Sequence, residues 1–86
     1  MTQATQPEGE LFGRRLREVR QKRGLTQQAV ADLAGMSLTY VSNMENGFKV
    51  PSLTTIIRLA VALDCKVMDL VGAFDKTDLR ALLPKQ

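Results

Sequence analysis

The stretch "TQQAVADLAGMSLTYVSNMENG", residues 26 to 47, carries the signals for two short helices joined by a tight turn. Thr26 and Ser37 each stand where a side-chain oxygen can cap the first turn of a helix. Gly35 and Gly47 follow the two apolar runs, and glycine readily adopts the left-handed conformation that ends a helix. The stretch therefore predicts two helices that cross at a sharp turn, the arrangement called a helix-turn-helix.

The outward face of the second helix of this pair has an unusual composition. Val41 and Met44 point inward when the sequence is plotted at 100° per residue. The opposite side carries small uncharged polar side chains: Thr39, Ser42, Asn43 and Asn46. Such residues weaken a helix because they hydrogen-bond nearby backbone, and solvated helix faces usually carry Lys, Glu, Arg and Gln instead. This composition indicates a contact surface rather than a face chosen for helix stability.

Apolar periodicity predicts three further helices around this pair. The first, from Glu10 to Arg23, repeats apolar residues at i, i+4 and i+7. The fourth begins at a Ser52 cap, and its expected core residues are Leu53, Ile56, Ile57, Ala60 and Leu63. Leu59 and Val61 widen its apolar stripe, so we expect packing on two sides. The fifth covers 67–74, and a short extra helical turn is expected beyond it.

These elements predict an all-α fold with one compact five-helix domain. We expect a flexible N-terminal arm at 1–9 and the folded domain at 10–74, with the helix-turn-helix at 26–46. The segment 75–86 is expected to be a C-terminal tail with a role in dimerisation.

Length and composition limit the class of protein. The chain has 86 residues, one cysteine and no histidine, which suits a single domain with a modest core. A lone thiol without histidine makes neither a zinc site nor a Cys–His nucleophile pair, and we expect Cys65 to be a core residue. We therefore expect no metal, no cofactor, no small-molecule ligand and no enzymatic activity. The longest apolar run, 59–63, is too short to span a bilayer, so a soluble cytoplasmic protein is expected.

Basic residues are concentrated near the N-terminus. The net charge is +3, but six of the 12 basic residues lie between positions 14 and 23, which favours polyanion binding. We expect Arg14, Arg15 and Arg17 to be solvated. Arg20 differs, because it flanks the apolar stripe of the first helix and Glu45 flanks that of the third. The two can form an exposed ion pair of little stability or a partly buried hydrogen-bonded pair, and we expect the second.

The geometry of a helix-turn-helix suggests what its polar face contacts. The second helix protrudes, and the major groove of DNA is just wide enough to admit it. Asn can pair with adenine, Ser and Thr can donate or accept, and an apolar tip can touch a thymine methyl group. The third helix is therefore expected to contact base edges.

A series of landmarks runs through residues 10–71. In chain order they are Thr26-Gln27, Ala31, Gly35, Ser37, Val41-Ser42, Glu45-Asn46-Gly47, Pro51-Ser52-Leu53 and Leu59-Ala60. The series resembles the phage-repressor family (Cro/CI or XRE type), whose members have a lambda-repressor-like fold of five helices. Small members include restriction-modification controller proteins and antitoxins, and the chain is similar in size to both. The resemblance also points to the Arg20–Glu45 pair.

The resemblance implies which residues contact DNA. Base contacts fall on Ser37, Leu38, Thr39, Ser42 and Asn43. Phosphate contacts fall on Gln27, Gln28, Tyr40, Asn46 and Lys49. Leu38 departs from the family, where a long polar residue is frequent, so contact with a thymine methyl group is expected there. Tyr40 has the alternative role of covering the edge of the core, and both interpretations stay open.

Taken together, the residues and the resemblance predict a sequence-specific transcriptional regulator that binds a palindromic operator in double-stranded DNA as a homodimer. Repression and activation through RNA polymerase are both compatible with this prediction. Apolar residues without an evident place in the core predict the dimer interface: Leu59, Val61, Leu70, Val71, Phe74, Leu79, Leu82 and Leu83. The alternative is a protein-interaction module, such as an antitoxin that binds a toxin through the apolar surface and autoregulates its operon.

Overall fold

Within the part of the chain that the structure describes, five α-helices follow one another in the predicted order. The computed structural model describes residues 5–76 and 79–83. The helices are α1 (Pro7–Lys22), α2 (Gln27–Ala34), α3 (Leu38–Glu45), α4 (Leu53–Ala62) and α5 (Val67–Val71). Two 3-10 segments follow, at Gly72–Lys76 and Leu79–Leu82, and the described residues contain no strand. The all-α prediction is confirmed.

Side-chain caps fix the starts of α2, α3 and α4. Thr26, Ser37 and Ser52 each accept a hydrogen bond from the backbone N–H three residues further on, at 3.0, 3.0 and 3.2 Å. Gly35 ends α2 with a φ of 69°, in the left-handed region that glycine tolerates. These local signals set the direction in which α3 leaves α2.

The first helix begins at Pro7, three residues before the predicted start at Glu10. Proline suits the first position of a helix because its fixed φ is already helical. The first turn of α1 therefore replaces the end of the arm expected at 1–9, of which residues 1–4 lie outside the described part. The sequence did not predict this turn, because residues 7–9 lack apolar periodicity and include Gly9, a poor helix former.

Helix α1 crosses α3 at close range. Gly13 is buried at the crossing, and a Cβ atom there would collide with the carbonyl oxygens of Met44 and Glu45. The backbones approach this closely because the residue has no side chain. The C-terminal end of α3 is thereby held against α1.

One hydrophobic core lies among the helices, and it contains two residues that were expected at an interface. Leu59 and Leu70 are both 0% exposed, so they are core residues and not part of a dimer surface. On α4 the core face is rotated from the predicted one, which leaves Leu53 and Ile57 68% and 47% exposed. The cause is that α4 packs against α2 and also against α5, so the buried face is the one between those two neighbours.

The C-terminal segment is less regular than predicted. Helix α5 ends at Val71, so Phe74 lies in a 3-10 segment and not in an α-helix that reaches position 74. Phe74 is half-buried and packs against the core. The second 3-10 segment occupies the place of the short extra turn expected in the tail. Within the described residues, no helix has the length and apolarity needed to cross a membrane.

Candidate nucleic-acid interface

Helix α3 separates its residues onto two faces. Val41 and Met44 are fully buried. The opposite face carries four of the side chains expected to contact bases: Leu38, Thr39, Ser42 and Asn43. Leu38 is 42% exposed and Thr39 is exposed, whereas Ser42 and Asn43 are half-buried. The first turn of α3 is therefore its most accessible part.

The remaining residue expected to contact bases, Ser37, and the neighbouring Tyr40 both have structural partners. The Ser37 Oγ accepts the Tyr40 N–H at 3.0 Å and retains its own hydroxyl proton for a further contact. The Tyr40 hydroxyl lies 3.4 Å from Thr55 Oγ1, and its ring packs against the core. Of the two interpretations of Tyr40, core packing is thus the one realised within the chain itself.

A buried carboxylate, that of Glu45, lies where α1, α2 and α3 meet. Its side chain is 0% exposed, and that of Arg20 is 12% exposed. Arg20 donates from Nε to Oε2 at 2.6 Å and from Nη2 to Oε1 at 3.0 Å. The Arg20–Glu45 pair expected from the sequence is therefore present, and it has the buried, bidentate form.

Two further donors share the same carboxylate. Gln27 Nε2 donates to Glu45 Oε1 at 3.0 Å, and Arg17 Nε donates to the same oxygen at 3.2 Å. Burial by itself raises the pKa of Glu45, but the hydrogen bonds from Arg20, Gln27 and Arg17 outweigh it and hold the pKa below its ordinary value. The carboxylate therefore stays ionised at neutral pH.

Two arginines correct the expectation that they are solvated side chains without partners: Arg15 donates from Nε to the carbonyl oxygen of Asp69 at 2.6 Å, and Arg17 belongs to the Glu45 cluster. Besides Glu45, it donates from Nη2 to Asn46 Oδ1 at 3.2 Å. The signal was available in the sequence, because Arg17 precedes Arg20 by three residues and so lies on the same face of α1.

The residues expected to contact phosphate lie at the two ends of the helix-turn-helix. Gln27 and Gln28 begin α2, and Asn46 and Lys49 follow α3. Gln28 Nε2 donates to Asp32 Oδ1 at 2.9 Å, and Asn46 Nδ2 lies 3.4 Å from Ser42 Oγ. Lys49 is exposed and has no hydrogen-bond partner among the described residues. Gln27 and Asn46 are connected through Arg17 and Glu45, whereas Gln28 and Lys49 stand apart from that cluster.

Of the remaining residues expected at a dimer interface, Val61 and Leu82 line different grooves. Val61 is 77% exposed and shares a shallow groove between α2 and α4 with Leu33 and Ile57. Leu82 lines another groove with Leu11 of α1. Val71 is half-buried like Phe74, Leu83 is 67% exposed, and the side chain of Leu79 lies outside the described part of the chain.

Groups for metal or thiol chemistry are not assembled in the described part of the chain. No cluster of three or more His, Cys, Asp or Glu side chains that could hold a metal ion occurs there. Cys65 is half-buried and packs against the core, and burial raises the pKa of its thiol. A raised pKa keeps the thiol protonated and weakly nucleophilic.

Comparison with known proteins identifies the family. A model of a helix-turn-helix domain matches residues 11–71. The chain is 36% identical over 67 residues to the uncharacterized HTH-type transcriptional regulator y4dJ of Sinorhizobium fredii, which covers 78% of this chain and 87% of that protein. It is 44% identical over 57 residues to the HTH-type transcriptional regulator DdrOP3 of Deinococcus deserti, covering 66% of this chain but only 44% of that protein.

Solved structures support the same assignment. The restriction-modification controller protein C.AhdI of Aeromonas hydrophila is 42% identical, with a TM-score of 0.70 over 72% of this chain and 94% of that one. The clp gene regulator ClgR of Corynebacterium glutamicum is 28% identical, with a TM-score of 0.73 over 81% of this chain and 94% of that one. The chain therefore belongs to the helix-turn-helix domain family of transcriptional regulators.

Proposed function

We propose that this protein is a sequence-specific DNA-binding regulator that inserts the first turns of α3 into the major groove. The observation that carries the proposal is the outward face of α3, where short hydroxyl and amide side chains lie behind an exposed leucine. Side chains of this kind pair with base edges, and on the exposed first turns of a helix that fits the major groove they are placed to do so. The protein's relatives, which are transcriptional regulators, support the same function.

Each side chain of that face has a chemical role in the proposal. Asn43 offers a donor and an acceptor that match adenine, and Thr39 and Ser42 offer hydroxyl groups that suit any base. Leu38, at the tip, contacts a thymine methyl group. Ser37 contributes the hydroxyl proton that its capping role leaves free.

Phosphate contacts flank α3 on both sides and fix its register on the duplex. Gln27 supplies an amide at the N-terminus of α2, where the helix dipole also favours a negative charge. Asn46 and Lys49 supply the contacts beyond the C-terminus of α3. Gln28 and Tyr40 complete the set: Gln28 has a second amide hydrogen besides the one donated to Asp32, and the Tyr40 hydroxyl can donate to a phosphate while it accepts from Thr55 Oγ1.

The protein acts as a homodimer in this proposal, because one eight-residue helix reads few base pairs. Paired helix-turn-helix units bind half-sites about 34 Å apart.

An apolar stripe on α4 supports a self-complementary surface. This stripe, here called the α4 stripe, consists of Leu53, Ile57 and Val61, with Leu33 of α2 beside it. An exposed apolar surface of this kind is uncommon on a monomer and usually marks an interface. The exposed Leu83 and the half-buried Val71 and Phe74 extend the interface in this proposal.

Selection of bound sequences from a random DNA pool tests the DNA-binding function. We expect an enriched motif with two-fold symmetry and half-site centres about 10 base pairs apart, because two symmetric helices enter successive major grooves. Recovery of no motif above the starting pool contradicts sequence-specific binding. A motif without symmetry contradicts only the dimer.

The α4 stripe also favours a second candidate function, a protein-interaction module such as an antitoxin that occupies the stripe with a toxin. RNA polymerase is a further candidate partner for a DNA-bound regulator. The two functions predict different oligomeric states for the protein in the absence of DNA and partners. A protein that self-associates through the α4 stripe supports the homodimer. A monomer whose α4 stripe stays exposed supports a different partner. In either case the protein acts without enzymatic activity in the cytoplasm.

A further inference from the structure

We propose that Arg17 contacts a DNA phosphate and that Glu45 holds it in position beside Gln27. This inference rests on the proposed function. It adds a contact on α1 that is assigned neither by the sequence pattern nor by the similarity to known regulators.

The positions of the donor atoms support a shared phosphate site. Arg17 Nε and Gln27 Nε2 both donate to Glu45 Oε1, at 3.2 and 3.0 Å. Two atoms that contact one oxygen at these distances lie within about 6 Å of each other. Since an N–H···O hydrogen bond is about 2.9 Å long, two donors at this separation can both reach one phosphate group.

Both groups keep donors for such a ligand. A guanidinium has five N–H groups, and Arg17 uses one toward Glu45 and one toward Asn46 within the described residues. The amide of Gln27 uses one of its two hydrogens on Glu45. The neighbours of Arg17 at the site, Gln27 and Asn46, are two of the five residues for which phosphate contacts are already expected.

The positive charge of Arg17 is not balanced within the Glu45 cluster and is accessible to solvent. The Glu45 carboxylate carries one negative charge, and Arg20 neutralises it through two short hydrogen bonds from a side chain only 12% exposed. The charge of Arg17 is therefore in excess, and its side chain is 45% exposed. An exposed guanidinium held by two hydrogen bonds suits phosphate binding, because little conformational freedom is lost when DNA arrives.

The test compares the DNA binding of two variants, each of which lacks one positive charge on α1. Arg17→Gln and Arg14→Gln each remove one exposed guanidinium, but Arg14 contacts neither Glu45 nor Asn46 and has no hydrogen bond within the described residues. Fluorescence anisotropy at a series of KCl concentrations gives the slope of log K against log salt for each variant. We expect Arg17→Gln to lower that slope by about 0.9 for each phosphate that the variant no longer neutralises, and to weaken operator and random duplex equally. Arg14→Gln should keep the wild-type slope.

The conservative variant Arg17→Lys tests whether a positive charge alone restores the salt dependence of DNA binding. A lysine retains one charge for the phosphate, so the salt slope should return to the wild-type value, although the hydrogen bonds to Glu45 and Asn46 are altered. Thermal denaturation checks that each variant is folded at the assay temperature. If Arg17→Gln is unfolded there, Arg17→Met replaces it, because it also removes the charge: a lowered slope supports the proposal, and a wild-type slope contradicts it.

The outcomes separate this inference from the function on which it rests. Wild-type protein without salt-dependent DNA binding contradicts the proposed function. Wild-type protein that binds DNA, together with an Arg17→Gln slope equal to those of wild type and Arg14→Gln, contradicts only the role of Arg17.

Discussion

At the scale of single residues, Glu45 is the group on which the interface depends. Its buried carboxylate accepts hydrogen bonds from α1 and α2, so it connects both helices to α3. Removal of a donor leaves a buried charge with fewer partners, which costs more than the loss of an exposed pair. The stability of the fold should therefore depend on the ionisation of Glu45 and on the arginines that surround it.

The dependence on ionisation is a prediction about pH. The pKa of Glu45 in the fold lies below its ordinary value of 4.5, so the ionised carboxylate stabilises the fold above about pH 5. This stabilisation is lost as the pH falls through the lower folded-state pKa, with a slope of at most about 1.4 kcal/mol per pH unit. Urea denaturation from pH 7 to pH 3 should therefore show the gap between wild type and Glu45→Gln narrowing below about pH 5. A Glu45→Gln curve parallel to wild type would exclude the linkage.

The dependence on the arginines of α1 is a prediction about three alanine variants. Arg20→Ala should cost about 3 kcal/mol, near the low end for breaking a buried pair, because Arg17 and Gln27 remain on Glu45. Arg17→Ala should cost less than about 1 kcal/mol, since its side chain is 45% exposed. Arg14→Ala should be neutral. Chemical denaturation gives the three values, and an equal cost for all three would mean that the Glu45 cluster is solvated in solution.

The two arginines on Glu45 also show what the sequence could predict at this scale. Arg20 could be paired with Glu45 because each flanks an apolar stripe, and the stripes face each other. Arg17 lies on the same face of α1 as Arg20, which predicts that it is near Glu45, but its hydrogen bond and that of Gln27 depend on side-chain rotamers at a junction of three helices. Periodicity along one helix does not specify that junction, so this part of the site needed the structure.

At the scale of elements, local chemistry determined where helices begin, and packing determined which faces are buried. The caps at Thr26, Ser37 and Ser52 were visible in the sequence because an N-cap acts within three residues. The burial of Leu59 and the exposure of Ile57 were not, because an apolar stripe that covers half of α4 fits more than one rotation. Contacts with α2 and α5 select one of them.

The approach of α1 to α3 gives a prediction at this scale. In Gly13→Ala, the new Cβ atom would collide with backbone carbonyl oxygens of α3 that cannot move independently. We expect a loss of at least about 2 kcal/mol, as for an overpacked core. Gly72→Ala is the matched control, because a Cβ there has nothing within 4 Å and the φ of −62° suits alanine. If thermal denaturation gives the same midpoint for both variants, the two helices do not approach this closely.

At the scale of the whole molecule, the α4 stripe connects oligomeric state to DNA spacing. A two-fold dimer brings the same surface of each copy together, and this contact fixes the distance between the two copies of α3. Loss of the dimer would therefore weaken operator binding without altering any residue of the DNA-facing surface.

Val61→Asp tests this connection. A charge at the most exposed residue of the α4 stripe should give a folded monomer, because burying an unpaired carboxylate in an apolar interface is unfavourable. Leu38→Asp is the control, since Leu38 is 42% exposed but lies on the DNA-facing surface of α3, outside the proposed interface. Light scattering should find a monomer for the first variant and a dimer for the second, with unchanged helical circular dichroism. A dimeric Val61→Asp protein would mean that the interface lies elsewhere.

The central claim is that α3 reads base sequence, and the binding of Asn43→Ala to two DNA duplexes tests it most directly. The two duplexes are the selected operator and a scrambled duplex of the same composition, measured with wild type and variant at one salt concentration. The account predicts a loss of about 1 to 3 kcal/mol on the operator and almost none on the scrambled duplex, because Asn43 contacts a base. Equal losses on both duplexes, or no loss on either, would contradict it.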